Sequence, residues 1–152
     1  MMTRVLIPAF SRNAFPLAFA RVVVAAFAAA WERFRAGLAN GLVPEETGTG
    51  RRVDGIDADV RRCRGWRRAF PDVTGTILRA VAGGETVAEE VAWASSHLGP
   101  LETPGGTVPA TGRRVAAAAT LWVTVRGGKA TAIRHHLDVL TLLQQVGALP
   151  GA

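Results

Sequence analysis

Apolar positions recur at helical spacing in two segments of the N-terminal half, and each segment predicts an amphipathic helix. The first helix is predicted over residues 18–38 and the second over residues 55–69. The apolar positions of the first are Val23, Phe27, Ala30, Phe34 and Leu38, and those of the second are Ile56, Val60, Cys63 and Phe70. Pro71 ends the second helix, because proline cannot continue it.

Alternating apolar and polar positions predict four strands in the C-terminal half. They cover Val73–Val81, Thr86–His97, Arg113–Val125 and Ala130–Leu137. Glycine pairs provide the turns within the first and last strand pairs, and a Pro/Gly-rich loop, Leu98–Thr111, separates the two pairs. An apolar run after Asp138 predicts a short final helix. Two helices, a meander and a terminal helix indicate the α+β class.

The domain organisation follows from length and from the N-terminal pattern. A chain of 152 residues is long enough for one core, and residues 14–152 are expected to form it. Residues 1–13 are expected to be an arm that is mobile or packed on a partner. The apolar run Ala14–Trp31 is interrupted by Pro16 and Arg21, and its clean span is shorter than the ~20 residues of a membrane helix. We therefore expect a core helix, with no membrane contact.

Composition narrows the function classes. Cys63 is the single cysteine, so no internal disulfide can form, and a reducing, cytoplasmic compartment is expected. No residue spacing fits a metal site and no glycine loop fits a nucleotide, so no cofactor is expected. The net charge of +6 includes an arginine-rich face on the second helix. Acidic residues lie nearby and Trp66 is its only aromatic residue, so we expect a solvated face and no nucleic-acid partner.

Short motifs occur in a defined order along the chain. They are Gly55, Ala69-Phe70-Pro71-Asp72, His97-x-Gly99, Pro109-x-Thr111-Gly112-Arg113, Gly128-Lys129 and Leu142-Leu143-Gln144-Gln145-x-Gly147. In this order they resemble the SnoaL-like polyketide cyclases, a branch of the nuclear-transport-factor-two-like α+β cone families. The resemblance covers roughly residues 18–149. It implies a curved antiparallel sheet wrapped around the N-terminal helices to form a cone-shaped pocket, and a homodimer or higher homo-oligomer.

The resemblance also implies an activity. The best-known members of that family close the last ring of anthracycline precursors by an intramolecular aldol condensation, without cofactor or metal. This implies a cofactor-independent enzyme of aromatic polyketide biosynthesis, a lyase or isomerase of secondary metabolism, with a small aromatic substrate. Other members take part in hydroxylation or open epoxides. A non-catalytic binding or association module is a further alternative, since the cone fold hosts both kinds of protein.

The candidate catalytic residues follow from the family position and from strand alternation. An aspartate near the end of the last strand is the acid/base of the known cyclases, and the matching residue here is His135. Histidine titrates near ~6.5, which suits a general base, although a satisfied core histidine is the alternative. Asp138 matches a second acid of the family, but its place before an apolar run also predicts a helix N-cap.

Candidate substrate contacts come from the predicted inner face of the cone and its mouth. Alternation places Ile133 and Leu137 on the same strand face as His135. The resemblance adds Ala119 and Leu121, which stand at two strand positions where the known cyclases have polar pocket residues. The candidates are His97, Trp66, Trp93, Ala119, Leu121, Ile133 and Leu137. Tryptophans are more often core residues than stacking platforms, and His97 could instead hold the Pro/Gly-rich loop.

Overall fold

Residues 31–149, the part of the chain that the computed structural model describes, form three helices and eight strands. The helices are α1 (Trp31–Ala36), α2 (Ile56–Ala69) and α3 (Val139–Val146). The strands are β1 (Leu38–Glu46), β2 (Arg51–Arg52), β3 (Thr74–Gly83), β4 (Thr86–Ser96), β5 (Leu101–Thr103), β6 (Gly106–Val108), β7 (Arg114–Arg126) and β8 (Lys129–Leu137).

Six of these strands form one curved sheet in the order β2-β1-β8-β7-β4-β3, and β5 and β6 form a separate hairpin. The pairs from β3 to β8 are antiparallel, whereas β1 runs parallel to β8. The α+β class and the cone predicted from the sequence are confirmed. The sheet is mixed, however, because β1 joins it beside the last strand.

The predicted strands and the second helix are confirmed to within about three residues at each end. The first helix differs: Trp31–Ala36 is helical, but Leu38, predicted as its last residue, begins β1. The rest of that predicted helix, residues 18–30, and the predicted arm, residues 1–13, lie outside the described residues. Within residues 31–149, no helix is long and apolar enough to cross a membrane.

The core fills the concave face of the sheet, because β4 and β7 alternate strictly between buried and exposed positions. One apolar cluster joins α1 and α2 to the inner face of the sheet, and a second lies where α3 covers its other end. Gly75 makes room for the first cluster, since a Cβ there would collide with the indole of Trp93 on the next strand. A cavity lies where the two clusters meet.

Candidate active site

A cavity opens between the end of α2, helix α3 and the inner face of β4, β7 and β8. It contains about 480 Å³ of empty space, including its open mouth. Its walls are mostly aromatic and aliphatic: Trp66, Phe70, Val73, Trp93, Ala94, Ser95, Val115, Ala117, His135, Leu137 and Leu142. Trp66 and Phe70 stack with ring centroids 6.0 Å apart. Such a cavity favours a flat, apolar ligand.

His135 is the only ionisable side chain among the residues that line this cavity. It is 7% exposed, and its ring meets the edge of Trp93 with centroids 6.3 Å apart. Its Nε2 is buried and has no hydrogen-bond partner among the described residues. A buried imidazole nitrogen without a partner is uncommon in folded proteins. One nitrogen of His135, a residue of the cavity wall, therefore has no partner among the described residues.

Glu46 lies next to His135 because the parallel register of β1 and β8 pairs these two residues directly. Residues paired across neighbouring strands face the same side of a sheet, and both side chains are buried. Glu46 Oε2 lies 3.9 Å from His135 Nδ1. This distance is too long for a hydrogen bond in the unliganded protein. It is short enough for an ion pair once the imidazole takes up a proton.

Three donor groups, one from each of three other residues, hold the Glu46 carboxylate. Its Oε2 accepts from Arg62 Nη1 at 2.8 Å and from Trp66 Nε1 at 3.0 Å, and its Oε1 accepts from Thr49 Oγ1 at 2.6 Å. Burial alone raises the pKa of Glu46, but His135, the charge of Arg62 and the Thr49 hydroxyl outweigh it and lower the pKa to about 2. Glu46 is therefore ionised at neutral pH.

Arg62 joins Glu46 to a second buried carboxylate, Asp59, one helical turn earlier on α2. Its Nε and Nη2 donate to Asp59 Oδ1 at 3.0 and 2.6 Å, and both carboxylates are fully buried. Burial lowers the pKa of Arg62, yet Cys63, Asp59 and Glu46 together raise it above its ordinary value. The sequence prediction of a solvated arginine face is wrong for Arg62, which points inward, while Arg61, Arg64 and Arg68 are exposed.

Four of the predicted site residues line the cavity: Trp66, Trp93, His135 and Leu137. Three others, Ala119, Leu121 and Ile133, face the same side of the sheet but pack in the deeper core and do not line it. Nothing in their placement tests a role in binding, which stays a prediction for all seven.

Asp138 and His97 lie outside the cavity lining. The carboxylate of Asp138 is exposed and accepts from Thr141 N at 3.1 Å, so Asp138 caps α3. The side chain of Thr141, and then this backbone hydrogen bond, lower the pKa of Asp138. His97 is buried, contacts the ring of Phe70 and shares a 3.0 Å hydrogen bond with Thr111, which ties down the Pro/Gly-rich loop. Asp138 thus caps a helix and His97 holds the loop, and a role of either residue in catalysis or binding stays a prediction.

Glu46 and Arg62 are the parts of the site that the sequence reasoning missed. Glu46 could not be placed without the register of β1, a strand that was not predicted. A local signal did exist for Arg62: Asp59 precedes it by three residues, the spacing of a helical ion pair. Among residues 31–149, no group of three histidine, cysteine, aspartate or glutamate side chains is placed to hold a metal ion.

Comparisons with known proteins agree with this architecture. Among solved structures, TsrD from Streptomyces laurentii is 20% identical, with a TM-score of 0.77 over 92% of this chain and 100% of its own. AclR from Streptomyces galilaeus, a proposed hydroxylase, is 23% identical, with a TM-score of 0.76 over 93% of this chain and 86% of its own. IdmH from Streptomyces antibioticus, a proposed polyketide cyclase, is 26% identical, with a TM-score of 0.73 over 87% and 98%.

Among curated proteins, no sequence matches this chain. The family comparison is more informative, because the sequence model of the SnoaL-like polyketide cyclases matches residues 19–146. That match spans all three described helices and all eight strands, including the strand that carries His135. The chain therefore belongs to the SnoaL-like polyketide cyclase family.

Proposed function

We propose that this protein is a cofactor-independent enzyme that closes a ring of an aromatic polyketide by acid/base chemistry, with His135 as the base. The observation that carries the proposal is the unpartnered, buried Nε2 of His135 beside an aromatic cavity. The family membership supports the same substrate class.

The reaction needs few groups from the protein. A carbon between two carbonyl groups gives its proton to His135 Nε2 and becomes an enolate. The enolate carbon attacks a second carbonyl carbon of the same molecule, a carbon–carbon bond forms, and the carbonyl oxygen becomes an alkoxide. The imidazolium then returns its proton to that oxygen, so the base is regenerated. The ionised Glu46 next to Nδ1 stabilises the transient imidazolium, as carboxylates do beside catalytic histidines elsewhere.

The aromatic walls supply orientation. Trp66, Phe70 and Trp93 offer flat apolar surfaces on which a planar substrate can stack. Holding the two reacting carbons of one molecule close together lowers the entropic part of the barrier. An apolar surrounding also strengthens the electrostatic interaction between the imidazolium and Glu46.

The test is proton exchange on aromatic esters that carry a 1,3-dicarbonyl group, followed in D₂O by NMR, together with mass spectrometry of the product. We expect the wild-type protein to exchange the proton between the two carbonyls, and the His135→Ala variant to be about 10²–10⁴-fold slower. His136→Ala is the matched control, because His136 is exposed on the opposite strand face and bonds Thr47. Full exchange by the His135→Ala variant would exclude His135 as the base.

A hydroxylase-type activity is the second candidate, and the structural likeness to AclR favours it. The two reactions differ in product mass. An aldol ring closure leaves the mass unchanged, or lowers it by one water if dehydration follows. Hydroxylation adds one oxygen atom and requires an oxidant. Mass spectrometry of the product therefore separates the two candidates.

A further inference from the structure

Two acidic side chains and one basic side chain form a buried row behind His135, in the order Asp59, Arg62 and Glu46. Burying charges is unfavourable unless each is paired, and apolar replacements of such groups are often more stable. The row is linked by contacts of 2.6–3.0 Å, and its last member faces Nδ1 of His135. The row ends beside His135, whose imidazole belongs to the cavity wall. We therefore expect the row to serve the site rather than the stability of the fold.

The guanidinium of Arg62 is fixed from several directions. Nη1 donates to Glu46, Nε and Nη2 donate to Asp59, and Nη2 also lies 3.6 Å from the Cys63 sulfur. Because the guanidinium is planar and rigid, fixing one edge on Asp59 fixes the direction of the other. Arg62 therefore determines where the Glu46 carboxylate sits on the inner face of the sheet.

We propose that Arg62 is a positioning residue of this site. By holding Glu46 ionised and directed at His135 Nδ1, it keeps the hydrogen of the neutral imidazole on Nδ1 and leaves the Nε2 lone pair for the proton of the substrate. This inference rests on the proposed function for its catalytic consequence, but the position of the hydrogen can be measured without any substrate.

The charge of Arg62 is what the other two donors cannot replace. Thr49 and Trp66 also donate to Glu46, but both are neutral. Without the guanidinium, burial of Glu46 favours its protonated form. A protonated carboxyl no longer carries the negative charge that attracts a hydrogen on Nδ1, and it turns a hydroxyl hydrogen toward that nitrogen, so the imidazole hydrogen is favoured on Nε2. Nε2, the nitrogen without a protein partner, then has no lone pair to accept a proton.

The experiment is long-range ¹H–¹⁵N NMR of the histidine side chains, combined with the exchange assay described above. The chain has three histidines, so spectra of His97→Gln and His136→Gln variants identify the His135 signals. Arg62→Met removes the charge and keeps roughly the length of the side chain. Arg62→Lys keeps the charge but loses the planar guanidinium that bonds Asp59 and Glu46 at the same time. Arg61→Met is the matched control, because Arg61 is the exposed preceding residue of the same helix.

In the wild-type protein and in Arg61→Met, the imidazole hydrogen of His135 should be on Nδ1. In Arg62→Met it should move to Nε2, and kcat should fall about 10²–10⁴-fold with little change in KM, as for loss of a general base. Arg62→Lys should keep the hydrogen on Nδ1 and lower kcat by about 10²-fold at most, because only the position of Glu46 loosens.

Two results would overturn the proposal. The first is an Nε2-bound hydrogen on His135 in the wild-type protein, which needs no variant to fold. The second is a folded Arg62→Met protein with the hydrogen still on Nδ1 and an unchanged kcat. If Arg62→Met does not fold, the wild-type tautomer and the Arg62→Lys rate decide the question. A wild-type protein with the expected tautomer but no exchange activity would refute the proposed function and leave the tautomer assignment intact.

Discussion

Glu89 provides the sharpest test of the electrostatics of this fold. It lies on the inner face of β4, 1% exposed, between Ala80 on one neighbouring strand and Leu121 on the other. Neither of its carboxyl oxygens has a hydrogen-bond partner within the described residues. Burial in this apolar position raises the pKa of Glu89 from 4.5 to about 7.

The raised pKa of Glu89 makes the stability of the fold depend on pH. In the unfolded chain the carboxyl loses its proton near pH 4.5, whereas in the folded protein it keeps the proton until about pH 7. The folded state therefore binds more protons between these pH values, and the free energy of unfolding falls by about 1.4 kcal/mol per pH unit. The total loss amounts to about 3 kcal/mol and levels off above the folded-state pKa.

Glu89→Gln removes this titration without changing the shape of the side chain. The assay is urea unfolding of the wild type and the variant at several pH values from 4 to 9, with the difference between the two proteins plotted against pH. Other titrating groups cancel in that difference. As the pH rises from 4.5 to about 7, we expect the free energy of unfolding of Glu89→Gln to increase by about 3 kcal/mol relative to that of the wild type.

Glu90→Gln is the matched control for Glu89, since Glu90 is the next residue of β4, half-exposed on the outer face and near Arg79. Its difference from the wild type should vary little with pH, because exposed ion pairs contribute weakly. A Glu89→Gln difference that stays flat from pH 5 to pH 8 would show that the folded protein already ionises Glu89, and the burial argument would then fail.

Two further predictions concern residues that shape the site. Asp138→Ala should lower the thermal unfolding midpoint modestly by fraying α3, while turnover stays unchanged, because Asp138 caps the helix and does not line the cavity. A large loss of turnover would instead support the acid role that the resemblance implies for Asp138. Gly75→Ala should lower the free energy of unfolding by about 1–3 kcal/mol, because the added methyl group displaces the Trp93 ring. Urea unfolding and the Trp93 contribution to fluorescence would measure this, and an unchanged spectrum would contradict it.

Much of the sheet could be predicted because its strands have one buried and one solvent-facing side. The alternation along Thr86–Ser96 and Arg114–Arg126 is nearly unbroken, and glycines mark both hairpin turns. Strand β1 could not be predicted in the same way. It contains Asn40, Gly41 and Pro44, which are unfavourable in strands, and its register shifts between Leu38 and Val43. Its main pairing is with the distant strand β8, and the pairing with β2 covers two residues on each strand.

The same reason divides the site into a part that could be predicted and a part that could not. The directions of His135 and Leu137 follow from alternation within one strand, and that of Trp66 from spacing within one helix, so local patterns were sufficient. The place of Glu46 depends on a parallel pairing between residues 89 positions apart, as the Glu46↔His135 register shows. The inward direction of Arg62 depends in turn on Glu46, because a buried carboxylate requires a charged partner.

The pairing of Glu46 with His135 leads to a last prediction, about replacing His135 by the aspartate that the resemblance to the known cyclases implies at this position. A carboxylate base has no tautomers. A neutral histidine accepts a proton at Nε2 only when its own hydrogen is on Nδ1, and here Glu46 is the residue next to Nδ1. His135→Asp alone should therefore work poorly, because it places two carboxylates side by side and one of them takes up a proton. Adding Glu46→Gln should raise the activity of His135→Asp, whereas the same change lowers that of the wild type. This reversal of sign in a double-mutant cycle is measured by the exchange assay. Glu46→Gln effects of equal sign and size in both backgrounds would show that the two residues act independently.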